Sequence, residues 1–340
     1  MAHVKEDRPA RRLGVRRLKR FAAIAWVLLV FAALLPGGAK AQAGDYPNRF
    51  IKMIVLFGPG GTSDVAARYF GSKIEPALGQ QVVVENRTGA GGTVGVMAVK
   101  NAPADGYTIL VATNTPMSIN PITEKDLPYD PTRDFKPISG MIKVQNVLVV
   151  AADSPITTLS DMVRVAKTRA KPITVGTLSI GHQMTTEWLA AVAGFKFTNV
   201  PYKSAGDILN NVIGGELDVG SADLPSASAL IKAGKVRALA TTGEKRHAQH
   251  ADVPTVSETY PEYVTYSWSS LYVRRETPEA ATRKLIDAVQ VALKAPESAE
   301  FASRVSGELM PLDPAQMEAM QIAELKRFSA IARAAGIQPK

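Results

Sequence analysis

The amino-acid sequence predicts an α/β fold of two doubly wound lobes joined by a hinge that the chain crosses twice. Strand and helix patterns alternate from about residue 50 onwards, as expected of parallel βαβ units. The alternation occurs as two series, separated by a Pro-rich connector at residues 121–137. The length of 340 residues also suggests two domains.

Each series begins with an apolar strand. Residues 50–57 form an apolar run broken only by Lys52, which is typical of a strand buried on both faces. The predicted strands are residues 50–57, 81–85, 107–112, 146–151, 173–176, 196–202, 217–222, 236–241 and 263–273. The predicted helices are residues 65–78, 94–101, 159–169, 185–194, 207–213, 226–233, 278–295 and 314–335.

The hinge position follows from this order. We expect residues 44–146 and 267–340 to form lobe 1, and residues 147–266 to form lobe 2. Ligands of such folds bind in the cleft between lobes, at the carboxyl ends of the strands. The arrangement therefore predicts a binding site that both lobes share.

The N-terminal segment has the pattern of an export signal. A basic block at residues 8–20 precedes an uncharged apolar run at residues 21–35, and the small-residue pattern Ala39-Lys40-Ala41 follows. The run is shorter than the roughly 20 apolar residues that span a bilayer. We expect residues 1–43 to be a cleaved signal peptide and the mature chain to be periplasmic. An uncleaved N-terminal anchor is the alternative.

The formal net charge of +9 lies mostly in this leader. Residues 1–43 hold nine of the 40 Lys and Arg and two of the 31 acidic residues, so the mature chain has a net charge of only +2. No later segment combines basic residues with interleaved aromatics, and we expect no nucleic-acid partner. The absence of Cys excludes thiol nucleophiles and thiolate metal sites. We expect neither a metal nor a cofactor.

The loop Gly58-Pro59-Gly60-Gly61-Thr62-Ser63-Asp64 lies between the first strand and the first helix. Its glycines let backbone N–H groups approach a ligand, and the helix N-terminus behind them favours an anion. Thr62 or Ser63 could cap the helix or donate to a ligand oxygen. The loop has no Lys for a P-loop, and Ser63 stands where a dinucleotide fingerprint needs glycine. We favour a small-anion site at Gly58, Gly60, Gly61, Thr62 and Ser63 over a capped turn without a ligand.

A second loop of the same character follows a strand of lobe 2. It contains Gly176, Thr177, Ser179, Gly181 and His182 and opens a helix. Two anion-ready helix starts that face one cleft would suit a solute with a carboxylate at each end. His182 could equally have a structural role.

Further candidates stand at the ends of other strands. They are Thr113 and Asn114 in lobe 1, and Tyr202 and Asp223 in lobe 2. The Asp223 carboxylate could accept an ammonium or hydroxyl group of the solute, or it could cap the following helix. The chain has no Gly-x-Ser-x-Gly elbow and no His-Glu-x-x-His motif, and we nominate no catalytic residue.

Short motifs along the mature chain resemble those of the extracytoplasmic receptors of tripartite tricarboxylate transporters, the Bug or TctC family. They occur in the family's order. The motifs are Tyr46-Pro47, Gly58-Pro59-Gly60-Gly61 with Asp64 and Ala67-Arg68, Val84-Glu85-Asn86-Arg87, Gly89-Ala90-Gly91-Gly92, Ala104-Asp105-Gly106-Tyr107-Thr108, Tyr129-Asp130-Pro131, Val200-Pro201-Tyr202-Lys203, Gly214-Gly215-Glu216-Leu217-Asp218, Lys232-Ala233-Gly234-Lys235 and Val253-Pro254-Thr255.

The resemblance implies a Venus-flytrap receptor with the type II periplasmic binding protein fold and no catalytic activity. Such a receptor closes on a small carboxylated solute and passes it to integral membrane permease subunits. Backbone amides, hydroxyls and waters at residues 58–64 and 176–182 would hold the carboxylates. Known solute classes are di- and tricarboxylates, acidic amino acids and aromatic carboxylates. The resemblance also implies structural roles for Asp64 and Arg68, and we expect a monomer.

The sequence departs from the family pattern at Ser204-Ala205-Gly206, and at Arg274 and Arg275, which replace small residues and proline. The arginine pair could belong to a docking surface. Two other functions stay open at this point. One is a sensory partner of a membrane kinase, and the other is an exported enzyme that depends on His182 or Asp223.

Overall fold

Strands and helices alternate along the chain in the computed structural model, which describes residues 1–3 and 46–339. The described residues from 47 onwards form one compact unit. The predicted signal peptide, residues 1–43, lies outside the described residues except for residues 1–3.

The strands are β1 Ile51–Val55, β2 Val82–Asn86, β3 Thr108–Thr113, β4 Phe135–Val144, β5 Asn146–Ala151, β6 Ile173–Thr177, β7 Phe197–Pro201, β8 Val219–Asp223, β9 Val236–Thr241, β10 Ser267–Arg274 and β11 Glu308–Leu309. The helices are α1 Thr62–Leu78, α2 Thr93–Lys100, α3 Asn120–Thr123, α4 Pro131–Asp134, α5 Leu159–Thr168, α6 Ile180–Ala193, α7 Ala205–Ile213, α8 Leu224–Lys232, α9 Glu279–Lys294, α10 Pro296–Arg304 and α11 Pro314–Ala335. A π-helical segment, Thr115–Ile119, lies between β3 and α3.

The strands form two sheets of similar topology. The first has the order β11-β4-β10-β3-β1-β2, and the second has the order β7-β6-β8-β5-β9. In the first sheet β1 pairs in parallel with β2 and β3, and in the second β6 pairs in parallel with β7 and β8. An antiparallel strand follows in each, β10 beside β3 and β5 beside β8. The predicted fold class of two doubly wound α/β lobes is confirmed.

The chain passes from one sheet to the other twice. Gln145 alone separates β4 of the first sheet from β5 of the second, and residues 242–266 lead from β9 back to β10. The first passage ends at β5 and the second at β10. Each of these strands pairs antiparallel with a strand of the parallel part of its sheet. Asn114 and Asn146 lie at these passages, where the Asn114 amide donates to the Tyr266 carbonyl at 3.4 Å.

The long C-terminal helix α11 packs on the apolar cores of both sheets. Met317, near its start, belongs to the cluster that contains Ile54 and Leu110 of the first sheet. Phe328 and Ile331, near its end, belong to the cluster of the second sheet. The helix therefore forms a further connection between the lobes, although it is not a strand of either sheet.

Several elements differ from the sequence prediction. Helix α6 begins at Ile180 rather than at residue 185, because the Ser179 side chain caps it. Strand β10 begins at Ser267 rather than at residue 263, since Tyr263 instead packs against Trp188 with ring centroids 4.7 Å apart. Strand β4 was missed altogether, and its Pro137 and Gly140 explain why the pattern did not indicate a strand.

Candidate functional site

The first glycine loop is shaped by Asp64, which lies in the first turn of α1 and is buried. The Gly60 N–H and the Asn86 side-chain amide each donate to its carboxylate at 2.9 Å, and Arg68 lies 3.0 Å from it. Burial favours a raised pKa, but the hydrogen bonds from Arg68, Gly60 and Asn86 outweigh it and hold the pKa of Asp64 below its usual value. Asp64 and Arg68 thus stabilise the loop.

The helix start behind this loop is open. Gly61 is the N-cap of α1, and no side chain caps it. A Cβ atom at Gly58 would meet nothing within 4 Å, and one at Gly61 would meet only the Gly58 carbonyl oxygen, at 3.6 Å. The first N–H groups of a helix have no partner within the helix and carry partial positive charge. This end of α1 can therefore accept an anion.

The second glycine loop brings lobe 2 against lobe 1. Ser179 Oγ accepts the backbone N–H of His182 and so caps α6. A Cβ atom at Gly181 would lie 2.8 Å from Thr115 Oγ1 in the π-helical segment of lobe 1, closer than real Cβ contacts. Glycine at this position thus permits the close approach of the two lobes beside the start of α6.

His182 connects Ser179 to Asp223 in a chain of hydrogen bonds. Its Nδ1 lies 3.0 Å from Ser179 Oγ, and its Nε2 lies 3.3 Å from Asp223 Oδ1. Burial favours a raised pKa for Asp223, but hydrogen bonds from His182 and Ser267 and the charge of His182 hold that pKa below its usual value. The Asp223 side chain does not cap α8, although Asp223 occupies the N-cap position. The capping alternative for Asp223 is therefore wrong.

These loops surround a cavity of about 430 Å³ between the two sheets. Ten of the fourteen predicted site residues line it: Gly58, Gly61, Thr62, Ser63, Thr113, Asn114, Ser179, Gly181, His182 and Asp223. The structure thus brings both glycine loops and the strand-end candidates of both lobes to one site. Its charged and titratable lining consists of Lys203, Asp223 and His182.

Four predicted residues lie outside the lining, for different reasons. The Gly60 N–H is occupied by Asp64. Gly176 is packed under Leu217 and Ile208, where a Cβ would collide with Leu217. Thr177 is buried, and its hydroxyl donates to Asn199 Oδ1 at 2.8 Å.

The fourth is Tyr202, whose ring packs on the apolar cluster beneath β6. The sequence pattern located these residues at strand ends, but it could not distinguish a side chain that faces the cavity from one that faces the core.

Fourteen lining residues were not predicted, and four of them lie at the hinge passages. They are Asn146, Ser267, Trp268 and Ser269 at the two passages, together with Phe57, Pro59, Thr115, Val144, Leu178, Thr185, Lys203, Ser204, Ala205 and Ser226. The hinge residues could have been found from the prediction itself, because the floor of an interlobe cleft is the hinge.

Arg274 and Arg275 have structural partners. Arg274 donates to the Ala102 carbonyl at 2.7 Å, and Arg275 donates to the Phe135 carbonyl at 3.1 Å and lies 3.0 Å from Glu318.

Within residues 1–3 and 46–339, no group of three or more His, Asp or Glu side chains could hold a metal ion. Over the same residues, no helix is long and apolar enough to span a membrane.

Two α/β lobes with a cavity at their hinge define the class of two-lobed solute-binding proteins. Residues 66–337 match the tripartite tricarboxylate transporter family receptor, TctC, and the chain belongs to this family of periplasmic binding proteins. The family resemblance that the motifs indicated is thereby confirmed.

The chain is similar to relatives over most of its length. It is 29% identical to the protein BugT of Bordetella pertussis over 318 residues, which cover 92% of this chain and 98% of BugT. The structure of Rpa4515 of R. palustris with adipate has a TM-score of 0.79 and 30% identity, and covers 87% of this chain and 100% of Rpa4515.

The structure of MatC of Rhodopseudomonas palustris with bound malate has a TM-score of 0.74 and 25% identity, over 84% of this chain and 99% of MatC. These similarities, with that to the periplasmic binding protein BugD, confirm the periplasmic binding protein fold. The relatives are solute-binding proteins.

Proposed function

We propose that this chain is a periplasmic receptor that captures a small carboxylated solute in the interlobe cavity and delivers it to the membrane permease subunits of a tripartite tricarboxylate transporter. The observation that carries the proposal is the pair of helix starts, of α1 and α6, that line one cavity from opposite lobes. Each offers backbone N–H groups and the positive end of a helix dipole. The relatives with adipate and malate bound support a dicarboxylate in particular.

The two lobes have distinct parts in this proposal. Gly58, Gly61, Thr62 and Ser63 hold one carboxylate through backbone amides and hydroxyls. Ser179 and Gly181 hold the other, beside His182, whose two ring nitrogens are within hydrogen-bond distance of Ser179 and Asp223. Gly60, Gly176, Thr177 and Tyr202 support the loops from behind and do not contact the solute. The proposed lobes are residues 44–146 with 267–340, and residues 147–266, which close about the hinge.

Asp223 restricts the chemistry of the solute. Its carboxylate lines the cavity, and its lowered pKa keeps it ionised at neutral pH. An anionic group of the solute close to Asp223 would be repelled, whereas a hydroxyl or ammonium group could donate to it. We therefore infer that the solute carries a hydrogen-bond donor next to one carboxylate. An aromatic carboxylate with such a donor fits the same description.

A ligand panel tests the function. The purified protein, expressed from the complete coding sequence, is melted with aliphatic, aromatic and amino-acid carboxylates. A ligand at 100 times its Kd stabilises the folded state by about 2.7 kcal/mol, so that binding raises the melting temperature. Succinate, malate and aspartate differ only in the donor group. We expect malate or aspartate to exceed succinate in the wild type, and Asp223→Asn to reduce that difference.

The outcomes separate the claims. If no carboxylate raises the melting temperature, the receptor function is wrong. If succinate binds as well as malate and aspartate, and Asp223→Asn changes nothing, only the donor requirement is wrong.

Binding without catalysis is a separate part of the proposal. The Ser179–His182–Asp223 chain has the residue order of a hydrolase triad, but Ser179 Oγ also accepts the helix N–H of His182. We expect no turnover of ester substrates. Hydrolysis that is lost in Ser179→Ala would favour the exported-enzyme alternative instead.

A further inference from the structure

A buried carboxylate, Glu324, lies in the middle of α11. The residue is 8% exposed, and the indole Nε1–H of Trp268 donates to both of its carboxylate oxygens at 3.1 Å. The guanidinium of Arg327, one turn further along the helix, lies 4.8 Å over the ring of Trp188. Burial raises the pKa of Glu324 to about 7, although the hydrogen bond from Trp268 and the charge of Arg327 act in the opposite direction.

Glu324 lies where the lobes meet. It stands between Met317, which packs in the core of the first sheet, and Phe328, which packs in the core of the second. Gln321, one turn before Glu324, donates to the Met117 carbonyl of the π-helical segment at 3.2 Å. The same segment carries Thr115, whose Oγ1 would lie 2.8 Å from a Cβ atom at Gly181.

Trp268 links this position to the cavity. It is the second residue of β10, directly after the chain returns to the first sheet, and it lines the solute cavity. Because its Nε1–H is held by Glu324, the protonation state of that carboxyl group affects the hydrogen bonds that orient the indole. A change at Glu324 can thus reach the cavity through a single side chain.

We propose that Glu324 is a positioning residue that couples the uptake of one proton to solute capture through Trp268. The proposal rests on the proposed receptor function for its second half, the capture of an anionic solute. An anion in the cavity brings negative charge nearer to Glu324, and closure of the lobes removes water from its surroundings. Both changes favour the protonated carboxyl, so solute affinity falls as the pH rises through 7.

Other charged groups could contribute to a pH dependence. Titratable or charged residues on the elements packed against α11, and on α11 itself near Glu324, are Glu318, Lys326 and Arg327 on α11, Tyr272 and Arg274 on β10, His182 and Glu187 on α6, and Lys136 and Lys143 on β4. The Tyr272 hydroxyl donates to Gln321 at 2.9 Å, and its pKa is raised far above the range in question. His182 lines the cavity itself, so the test must separate its contribution from that of Glu324.

The first measurement needs no solute. The tryptophan emission of the full-length protein is followed from pH 5.5 to pH 8.5 in wild type, Glu324→Gln and Trp268→Phe. We expect a transition near pH 7 in the wild type, and none in the other two, because the glutamine keeps an acceptor for Nε1–H without titrating. A flat wild-type profile, or the same transition in Glu324→Gln, overturns the proposal whether or not a solute is known.

The second measurement compares affinity at pH 6 and pH 8 for the carboxylate that gives the largest rise in melting temperature. A pKa rise of about half a unit to one unit on binding, starting from about 7, corresponds to roughly a two- to fivefold loss of affinity between pH 6 and pH 8. Reciprocity of coupled binding requires the same proton uptake to appear in the calorimetric titration. Glu324→Gln should bind as well as wild type at pH 6 and lose less than twofold at pH 8.

His182 is present in both proteins, so it cannot produce a difference between them. If Glu324→Gln keeps the wild-type ratio of affinities, the coupling is wrong and Glu324 has only a structural role. If no carboxylate binds at any pH, the receptor function is wrong, and the emission measurement alone still decides whether Glu324 controls Trp268.

Discussion

Replacing Glu324 by glutamine should make the folded protein less sensitive to pH. In the unfolded chain the carboxyl group of Glu324 titrates near its ordinary pKa of 4.5, and in the folded protein its pKa is about 7. Between these two values the folded state binds the proton and the unfolded state does not. Stability therefore falls as the pH rises from about 4.5 to about 7, and it changes little above that. Glutamine has the same shape and does not titrate.

The size of the effect follows from the two pKa values. One pKa unit corresponds to about 1.4 kcal/mol, so the full shift costs the wild type roughly 3 kcal/mol at high pH. At pH 5 the unfolded state is already mostly ionised, and about 1 kcal/mol of this cost is present. The stability of Glu324→Gln minus that of wild type should therefore increase by roughly 2–3 kcal/mol between pH 5 and pH 8.

Urea unfolding at the two pH values, followed by circular dichroism, measures this difference. Because the same two proteins are compared at each pH, all other titrating groups cancel. A constant offset between the variants would mean only that glutamine packs differently from glutamate. If the difference does not change with pH, the folded-state pKa of Glu324 is close to its ordinary value, and the reasoning is refuted.

Three further predictions concern the cavity and its lobes. Gly58→Val should abolish solute binding and change the unfolding free energy by less than about 0.5 kcal/mol, since a side chain there meets open space; calorimetry and urea unfolding test both parts, and unaltered affinity would contradict the site. Gly181→Ala should strain the closed form by about 1–3 kcal/mol and weaken binding accordingly, because the new methyl group would contact Thr115. Adding Thr115→Ala to the same chain should restore part of the affinity. If affinity is not restored, contact between these residues does not limit closure. Thr158→Ala removes the N-cap of α5, which is not part of the cavity lining. It should lower the free energy of unfolding by about 1 kcal/mol and leave the affinity for the solute unchanged. A loss of affinity would show that loss of this cap in lobe 2 affects the cavity.

The periodic pattern predicted most of the fold, because alternating strands and helices leave a strong local signal. It failed where a strand carried breakers. Strand β4 contains Pro137 and Gly140, two residue types that usually interrupt strands. Both positions pair with β10, which is far away in the sequence, so the local pattern did not indicate a strand. It also placed the start of α6 too late, because the cap at Ser179 is recognisable only when its hydroxyl meets the N–H of His182.

The candidate site was predictable for its loops and less so for its side chains. Glycines between a strand and a helix indicate a close backbone approach, whatever the rest of the protein does. Asp223 could be either a helix cap or a cavity carboxylate from sequence alone. Only the folded structure shows that this side chain does not cap α8 and instead contacts His182, 41 positions earlier.

By itself, the sequence determined the two α/β series, the two glycine loops and the family to which they point. These features depend on local patterns of hydrophobicity and backbone freedom, which the order of residues specifies directly. The tertiary structure alone decided which ten predicted residues share a cavity, that Trp268 forms part of it, and that Glu324 lies buried behind that indole. Such relations join residues far apart in the chain, and burial and pKa exist only after the chain has folded.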